Sequence, residues 1–449
     1  MEPRYIAAIE IGSSKVTGGV GILTPDGVLS ITAIEESKLI DAVRYGCVQN
    51  VEKVAEKITA IILKLENQIS PYKIKGVYLN VGGRSLMSYS REVERTLPDE
   101  REITDRIMQE IKDSGRDLPI ERDIVAVEPR EFLVDNISTS NPVGTFGQNI
   151  RAFLNVLACK PQIRKNLNRV FTEKLPQYKI MGTVVRQLAE ADTVLSSDER
   201  RLGCMLVDFG AETTTVSIYR NDVLQFLSTI PLGSRNITRD ITALKYLEEK
   251  AEDLKKAVGN ANPDDSSNDV NSFDGIDTSE INAYIQARAG EIVANISEQM
   301  VFAGLQATDI PGGIILIGGG ARLKGLTELF KSQTGLKVRI GLPNSSLRIE
   351  ARQSDAIDII SLINYVAQHS PKNCVEKPEI PKPVEQPTDT DTHTETVKPI
   401  NPTEEKKPAT NPKKQKSRLF SGIGARIKGM IDNVIDPIDN SELDEEDDE

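Results

Sequence analysis

Two stretches of this chain share one pattern of strands and turns: YIAAIEIGSSKVTGGVGILTPDGVLSITAI at 5–34 and GCMLVDFGAETTTVSIYRNDVLQFLSTI at 203–230. In each, an apolar strand ends in an acidic residue, an apolar residue and a glycine. A turn of small residues, a second strand, a tight turn and a third strand follow. Glu10-Ile11-Gly12 in the first stretch is in register with Asp208-Phe209-Gly210 in the second. A repeated β-meander predicts two related lobes that begin with the same three strands.

A third stretch, GGIILIGGGARLKGLTELF at 312–330, has the pattern of a buried strand, a triple-glycine turn and an amphipathic helix. Such a connection brings backbone N–H groups and a helix N-terminus close to a ligand. Each stretch alone is also compatible with ordinary structure, either a hairpin with a glycine turn or a plain strand–helix connection. Together the three stretches predict a cleft between two lobes that binds Mg-ATP.

The turns of this pattern supply the candidate nucleotide-binding groups. Backbone N–H groups and hydroxyls of the meander turns suit phosphate oxygens, and the triple-glycine turn lets the backbone approach a nucleoside closely. Glu10 and Asp208 would flank the phosphates as candidate catalytic carboxylates, and Asp208 would hold a hydrated Mg²⁺ through water. The candidate nucleotide-binding residues are Gly12, Ser13, Ser14, Lys15, Gly210, Thr213, Thr214, Gly318, Gly319 and Gly320.

The order of these blocks resembles the actin/Hsp70/sugar-kinase superfamily and, within it, the FtsA family of bacterial cell-division proteins. AIEIGSSKV matches the first phosphate motif, VDFGAETTT the second and IILIGGGARLKGL the adenosine motif, and the resemblance covers residue 5 to about 370. It implies an α/β, actin-like two-lobed ATPase fold with ribonuclease H-like lobes. The resemblance also places Glu252 and Lys255 beside the adenine and ribose, with a solvated helix face as the alternative.

The segment NPVGTFGQNIRAFLNVLAC at 141–159 resembles the end of the subdomain that FtsA-like proteins carry in place of the one found in actin. In this inserted subdomain we expect strands at 79–83, 124–132 and 150–158 and a helix at 104–114. The predicted parts of the chain are the first lobe's N-terminal part (1–82), the inserted subdomain (83–160), the completing part of the first lobe (161–200), the second lobe's N-terminal part (201–244), a second-lobe subdomain (245–311), the second lobe's C-terminal part (312–370), a disordered Pro-rich linker (371–416), an amphipathic helix (417–436) and an acidic tail (437–449).

The second phosphate turn departs from the family's usual Gly-Gly-Gly-Thr with an acid two residues after the threonine. This chain has Ala211 and Glu212 where glycines are usual, and Thr215 where the acid would stand. The two substitutions reduce conformational freedom, and the charge of Glu212 would repel a phosphate unless a cation intervenes. We therefore expect ATP binding with weak or no hydrolysis.

The charge of the chain is unevenly distributed. Its 449 residues carry a formal charge of −12, but 439–449 alone hold eight acidic residues. Removing those eight charges leaves −4 on the rest, a nearly neutral body that does not favour nucleic-acid binding. The four cysteines form no CxxC pair and the two histidines lie near or in the linker, which argues against a zinc site or a His-dependent catalyst. We also expect no secretory signal and no membrane span.

A polar segment with nine prolines from 371 to 412 predicts a mobile tether before SRLFSGIGARIKGMIDNVID at 417–436. At helical spacing this last segment has one broad apolar face with basic flanks, which is typical of a helix lying in an anionic membrane surface. Docking on a protein surface is the alternative. The candidate membrane-contacting residues are Leu419, Phe420, Ile423, Ile427, Met430, Ile431 and Val434.

The function that the resemblance implies is that of an adaptor. It would bind ATP, polymerise into actin-like protofilaments, and tether FtsZ to the cytoplasmic face of the inner membrane at the division septum, where later divisome proteins are recruited. The FtsZ C-terminal tail would dock on 245–311, where Arg288 and Glu291 of a helix at 279–304 are the candidate contacts and a solvated helix face is the alternative.

Two enzyme-like functions remain as alternatives. A superfamily kinase or phosphatase acting on a small substrate would need a second pocket with a catalytic aspartate, and it would leave the amphipathic tail unexplained. A chaperone ATPase would need a β-rich peptide-binding domain, for which the linker and single helix leave no room.

Overall fold

The computed structural model describes residues 2–117, 121–262, 272–273, 276–344, 347–350, 356–369 and 371–377. All of these residues belong to one compact unit, Met1–Pro381. The linker beyond residue 377, the predicted helix at 417–436 and the acidic tail lie outside the described residues.

The chain begins with an antiparallel meander that packs against one long helix. Asn50 caps this helix, because its side-chain oxygen accepts a hydrogen bond from the Lys53 N–H at 2.9 Å. Apolar residues then recur at helical spacing and are buried against the sheet. The elements are β1 (Arg4–Ile11), β2 (Lys15–Leu23), β3 (Leu29–Lys38), β4 (Val43–Arg44), β5 (Cys47–Val48), α1 (Val51–Gln68), β6 (Lys73–Ile74) and β7 (Gly76–Val81).

The inserted subdomain is a small antiparallel sheet with one helix and its own apolar core. The predicted helix and the two later strands are present with somewhat different bounds. Sequence analysis missed a long strand of alternating exposure, MSYSREVERTLPDERE, which carries many charged residues. The elements are β8 (Met87–Glu102), α2 (Asp105–Ser114), β9 (Asp123–Val134), β10 (Ile137–Thr139) and β11 (Phe146–Cys159).

Three helices and a strand connect the insert to the second meander. The strand joins the first sheet, and one helix continues into a single π-helical turn at Val170–Lys174. The elements are α3 (Pro161–Arg169), β12 (Lys179–Val185), α4 (Arg186–Val194) and α5 (Ser197–Leu202).

The second meander is followed by helices that cover one face of its sheet and share an apolar core with it. The triple-glycine turn leads into a short 3₁₀ helix, Gly319–Arg322, before the next α-helix. The elements are β13 (Cys204–Phe209), β14 (Thr214–Arg220), β15 (Val223–Ile230), α6 (Ser234–Ile241), α7 (Glu248–Val258), β16 (Ser272–Phe273), β17 (Ile276–Asp277), α8 (Thr278–Phe302), β18 (Ile314–Ile317), α9 (Leu326–Thr334), β19 (Val338–Ile340), β20 (Arg348–Ile349), α10 (Ile357–Gln368) and β21 (Val375–Glu376).

The two main sheets repeat the same local arrangement, as the sequence repeat predicts. The first has the strand order β12-β7-β1-β2-β3-β20, and the second has β10-β9-β11-β8-β15-β14-β13-β18-β19. In each, the first meander strand pairs antiparallel with the second and parallel with a later strand, β7 in one case and β18 in the other. The sheet of the insert continues that of the second lobe through one pair, Met87 and Ser228.

The end of the described chain returns to the first lobe. The sequence prediction assigns 312–370 to the second lobe and 371 onward to the linker, and here the structure differs: β20 pairs with β3, β21 pairs with β6, and α10 joins the first lobe's core. Two glycines of β2 permit this close packing. A Cβ at Gly19 would lie 2.9 Å from Ile363 of α10, and one at Gly21 would lie 2.5 Å from the same side chain. Within the described residues, no helix has the length and apolarity needed to cross a bilayer.

Candidate functional site

The two meander turns have the same hydrogen-bonded geometry. The Gly12 N–H donates to the Lys15 carbonyl at 2.9 Å, and the Gly210 N–H donates to the Thr213 carbonyl at 3.0 Å. Each turn directly follows the strand that carries the buried carboxylate, Glu10 in β1 or Asp208 in β13. The repeat seen in the sequence is therefore a repeat of backbone structure.

Two predicted phosphate-binding side chains are engaged elsewhere. The Lys15 ammonium pairs with Glu36 on the neighbouring strand at 2.7 Å, and the Thr214 hydroxyl donates to the Leu232 carbonyl at 2.8 Å. The Thr214 hydroxyl proton is thus already donated, whereas the Lys15 ammonium keeps protons that it can still donate to a ligand. The remaining predicted residues lie in the turns themselves: Gly12, Ser13, Ser14, Gly210 and Thr213.

The triple-glycine turn packs against the end of β13. Gly318 has φ of +86°, and a Cβ there would lie 2.6 Å from the Phe209 carbonyl oxygen and 2.7 Å from the Asp208 Oδ1 atom. Gly320 lies against the Phe209 ring, whereas a Cβ at Gly319 would meet no heavy atom within 4 Å. The backbone at Gly319 is thus open to a ligand beside the second turn.

Arg186, the first residue of α4, brings the two turns to one place. Its Nη2 donates to Glu10 Oε1 at 2.8 Å, and its Nη1 lies 3.6 Å from Asp208 Oδ2. One guanidinium thus contacts a carboxylate from each lobe, and all three side chains are largely buried. The sequence predicts that the two acids flank the phosphates, but it gave no indication of the arginine between them.

Two more acids and an amide, also missed in the sequence, join this group. Glu190 lies one turn after Arg186 on α4, and Asp358 begins α10. One oxygen from each of Glu190, Asp208 and Asp358 lies within 4.8 Å of the others. The Gln187 amide donates to Asp208 at 3.5 Å. The segment RQLAEAD, with its Arg and Glu one helical turn apart directly after a strand, was the available signal.

Burial controls the ionisation of this group. It raises the pKa of Glu10 to about 7 and that of Asp208 to about 6, although Arg186 opposes both shifts. Burial and the neighbouring carboxylates raise the pKa of Glu190 well above its usual value. Burial alone would lower the pKa of Arg186, but the surrounding acids raise it, so the guanidinium stays charged.

The predicted nucleoside contacts form a hydrogen-bonded unit between α6 and α7. Lys255 is only 7% exposed and donates to the Ser234 carbonyl at 3.1 Å, to the Thr238 hydroxyl at 2.9 Å and to Glu252 at 2.7 Å. These three acceptors use all three ammonium protons. Burial would raise the pKa of Glu252, but Lys255 outweighs it and lowers the value to about 2. Glu252 is thus a fixed, partly exposed carboxylate that can accept from a hydroxyl, while Lys255 positions it.

Three arginine side chains lie close to the Glu212 carboxylate. Its carboxylate is 1% exposed, accepts from the Tyr45 N–H at 2.6 Å and pairs with Arg235 at 2.8 Å. Arg44 and Arg239 lie 3.3 and 3.7 Å away. These arginines offset the charge of Glu212, which reduces the repulsion of a phosphate that the sequence predicts.

The hairpin of β4 and β5 contacts both phosphate turns. Its Gly46 N–H donates to the Ser13 hydroxyl at 3.1 Å in the first turn, and its Tyr45 N–H reaches Glu212 in the second. One short hairpin of the first lobe therefore contacts a residue in each turn.

The predicted partner contacts lie on α8. Arg288 donates to Asp240 at 2.6 and 3.2 Å and to Glu291 at 2.5 Å, so it is paired within the chain. Its side chain remains 28% exposed and that of Glu291 51%. The predicted membrane contacts lie outside the described residues: Leu419, Phe420, Ile423, Ile427, Met430, Ile431 and Val434.

Comparisons with known proteins agree with this architecture. The sequence model of the family described as "Cell division protein FtsA" matches residues 205–362, and that of the "SHS2 domain inserted in FTSA" matches residues 83–158. The chain is 30% identical over 377 residues to cell division protein FtsA of Porphyromonas gingivalis, covering 81% of this chain and 76% of the relative. It is 26% identical to FtsA of Bacillus subtilis over 377 residues, covering 81% and 83%.

A solved structure supports the fold. The PilM–PilN type IV pilus biogenesis complex includes a chain that superposes with a TM-score of 0.59 at 16% identity, covering 81% of this chain and 98% of that one. The fold is the predicted α/β, actin-like two-lobed fold. With a relative at 30% identity over three quarters of its length and two matching family models, the chain belongs to the FtsA family of cell division proteins.

Proposed function

We propose that this chain binds ATP between its lobes and acts as an actin-like adaptor in cell division rather than as a metabolic enzyme. The observation that carries the nucleotide site is the convergence of its two turns. The Gly12 and Gly210 turns close identically, and the carboxylates that precede them share the Arg186 guanidinium. Backbone N–H groups from both lobes can therefore reach one polyphosphate.

The rest of the site suits the nucleoside and a cation. The backbone of Gly319 is open beside the second turn, and Glu252 offers an ionised acceptor for a ribose hydroxyl. Mg²⁺ would bind on the side of Asp208, through water, because the nearer oxygen of Glu10 already accepts from Arg186. When bound, the ion would neutralise phosphate charge. Hydrolysis is expected to be weak or absent.

Isothermal titration of ADP and ATP into the full chain tests the nucleotide site. Gly319→Asp places a carboxylate where the phosphates or nucleoside would approach, and we expect at least a tenfold loss of affinity. Gly335→Asp is the control for a carboxylate added away from the site, because a Cβ there also meets no heavy atom within 4 Å; its φ of +68° adds backbone strain, so the stability of each variant is measured beside its affinity. Equal affinities of the parent and Gly319→Asp would mean that this turn does not face the nucleotide.

The membrane part of the proposal rests on the apolar face and basic flanks of 417–436. Such a segment would hold the protein peripherally on anionic lipid at the cytoplasmic face of the inner membrane. Flotation with anionic liposomes should require this segment: a chain ending after Pro412 should stay at the bottom of the gradient. A chain ending after Ile438, which loses only the acidic tail, should float at least as well as the parent. Equal flotation of the parent and the Pro412 truncation would contradict the membrane role.

The partner part of the proposal places the FtsZ C-terminal tail on the α8 face that carries Arg288 and Glu291. Arg288 retains exposed surface although it pairs with Asp240, so an acidic peptide can compete for its guanidinium. Arg288→Glu should abolish binding of an FtsZ C-terminal peptide in fluorescence anisotropy. Arg169→Glu is the matched control, because Arg169 is also a helical arginine paired with a nearby glutamate. No binding by the parent would remove this partner.

Assembly completes the proposed role. A two-lobed protein of this family would form protofilaments at the septum and present a surface to later divisome proteins. Sedimentation of the full chain on anionic vesicles, with and without ATP, measures such self-association. A chain that stays monomeric on lipid in the presence of ATP would contradict it.

A further inference from the structure

A cluster of three carboxylates lies beside the cleft on three separate elements. Glu190 comes from α4, Asp208 from the end of β13 and Asp358 from the first turn of α10, and one oxygen of each lies within 4.8 Å of the others. Three oxygens that contact one Ca²⁺ ion at about 2.3–2.6 Å lie at most about 4.5 Å apart when they are evenly spaced around it, so oxygens within 4.8 Å of one another need at most a small contraction. Mg²⁺, at about 2.1 Å, would need a spacing of at most about 3.6 Å.

Buried polar atoms of this group and of the neighbouring Gln187 have no partner among the described residues. Gln187 is 2% exposed, and its amide N donates to Asp208 while its Oε1 has no hydrogen-bond partner among the described residues. Both carboxylate oxygens of Glu190, which is 0% exposed, also lack a partner there. Buried polar atoms are almost always satisfied, because leaving one unpaired costs about 1–3 kcal/mol. An amide oxygen and carboxylate oxygens without donors are the ligands of a hard cation.

Arg186 does not neutralise this cluster. It is one cation among four acids, and its hydrogen bond goes to Glu10, on the first-lobe side. Its distance to Asp208 is 3.6 Å, and its Nε is itself without a partner in the described part of the chain. One guanidinium can therefore offset only part of the negative charge that these four acids carry when ionised.

We propose that Glu190, Asp208 and Asp358, with the amide oxygen of Gln187, form a divalent-cation site that binds its ion in the nucleotide-free protein. The ion would join α4 and α10 to β13, while Glu10 stays paired with Arg186. This ion contacts Asp208 directly, unlike the hydrated Mg²⁺ proposed beside the phosphates, and its binding does not require a nucleotide. A Glu190 that simply carries a proton, with no ion bound, is the competing explanation.

Mn²⁺ is a suitable probe, because the electron paramagnetic resonance signal of the free ion disappears on binding. The full chain, freed of metal with a chelator and without nucleotide, would be titrated alongside Glu190→Gln and Asp358→Asn. The acidic residues of 439–449 will also bind Mn²⁺ weakly, but they do so equally in every chain compared. Glu66→Gln is the matched control, because Glu66 is another buried carboxylate, paired with Lys73 away from the cluster.

We expect the parent and Glu66→Gln to bind one Mn²⁺ with the same affinity. Glu190→Gln and Asp358→Asn should bind it at least tenfold more weakly. Ca²⁺ should displace it. No such ion in the parent, or equal binding in Glu190→Gln and the parent, would overturn the proposal in favour of a protonated Glu190. ADP titration on the same samples tests the nucleotide site separately. Binding of Mn²⁺ without binding of ADP would refute the proposed nucleotide site but not the cation site.

Discussion

Replacing Glu212 with glutamine tests whether the second phosphate turn is held by contact with the first lobe. The carboxylate makes two short hydrogen bonds, with the Tyr45 N–H at 2.6 Å and with Arg235 at 2.8 Å. A hydrogen bond to a charged group contributes about 1.5–3 kcal/mol net. Glutamine keeps the shape and one acceptor but loses the charge, so we expect the free energy of unfolding to fall by about 2–3 kcal/mol. Arg44 and Arg239 are more than a third exposed and add little, because solvent screens them.

Only part of the expected loss in the free energy of unfolding comes from contact between the two lobes. Arg235 and Glu212 both belong to the second lobe, whereas Tyr45 belongs to the first, so the cross-lobe share is about one charged hydrogen bond. At about 1.4 kcal/mol for each factor of ten, its loss should weaken ADP binding about tenfold, because the closed cleft becomes less populated.

The assay compares urea unfolding and ADP titration for the parent, Glu212→Gln and Glu66→Gln. Glu66 is a matched control, because it too is a buried carboxylate that accepts from a backbone N–H (Ile74, 2.9 Å) and a cation (Lys73, 2.8 Å), but within one lobe. Both variants should lose stability, and only Glu212→Gln should lose ADP affinity. The reasoning is refuted if the two variants bind ADP equally well, or if Glu212→Gln unfolds like the parent.

Three further outcomes follow from single sites. Gly21→Ala should cost about 1–3 kcal/mol in urea unfolding, because its Cβ would lie 2.5 Å from the Cγ2 methyl of Ile363. The pKa of Glu252 is about 2 against an ordinary 4.5, so its ion pair stabilises the fold above pH 4.5 and this contribution disappears as the pH falls towards 2; the stability difference between the parent and Glu252→Gln should shrink over that window. Cys47 is partly exposed and should be alkylated by iodoacetamide at about pH 8 in the native chain, as mass spectrometry would show. The buried cysteines, whose pKa burial raises to about 11 or 12, should react only after unfolding: Cys159, Cys204 and Cys374.

The sequence predicted those features that depend on local spacing. The turn at Gly12 and the turn at Gly210 follow from an acidic residue, an apolar residue and a glycine at the end of a strand, and this pattern is complete within a few residues. The triple-glycine connection at 318–320 is local in the same sense. These motifs were sufficient to predict two related lobes and the place where they meet.

The features that sequence analysis missed depend on contacts between distant residues. Strand β8 is largely exposed and charged, so apolar alternation gave no signal for it. Residues 356–377 follow the second lobe in sequence but pack on the first, because glycines in β2 leave room for α10. Arg186 meets Glu10 across 176 positions, and no local pattern reports such a pair.

The cleft and the contact between lobes use the same residues. Ser13 and Glu212 lie in the phosphate turns, yet each also accepts a backbone N–H from the hairpin of β4 and β5. Arg186 likewise contacts Glu10 before the first turn and Asp208 before the second. A nucleotide that moves the second turn or the two carboxylates would therefore alter the cross-lobe contacts of Glu212 and Arg186, whereas the Ser13–Gly46 bond lies within the first lobe. By linkage, if nucleotide binding changes the affinity for assembly by some factor, assembly changes the nucleotide affinity by the same factor. If filaments form, the ADP affinity of the polymer and that of the monomer should differ, and equal affinities would show that the turns and the lobes move independently.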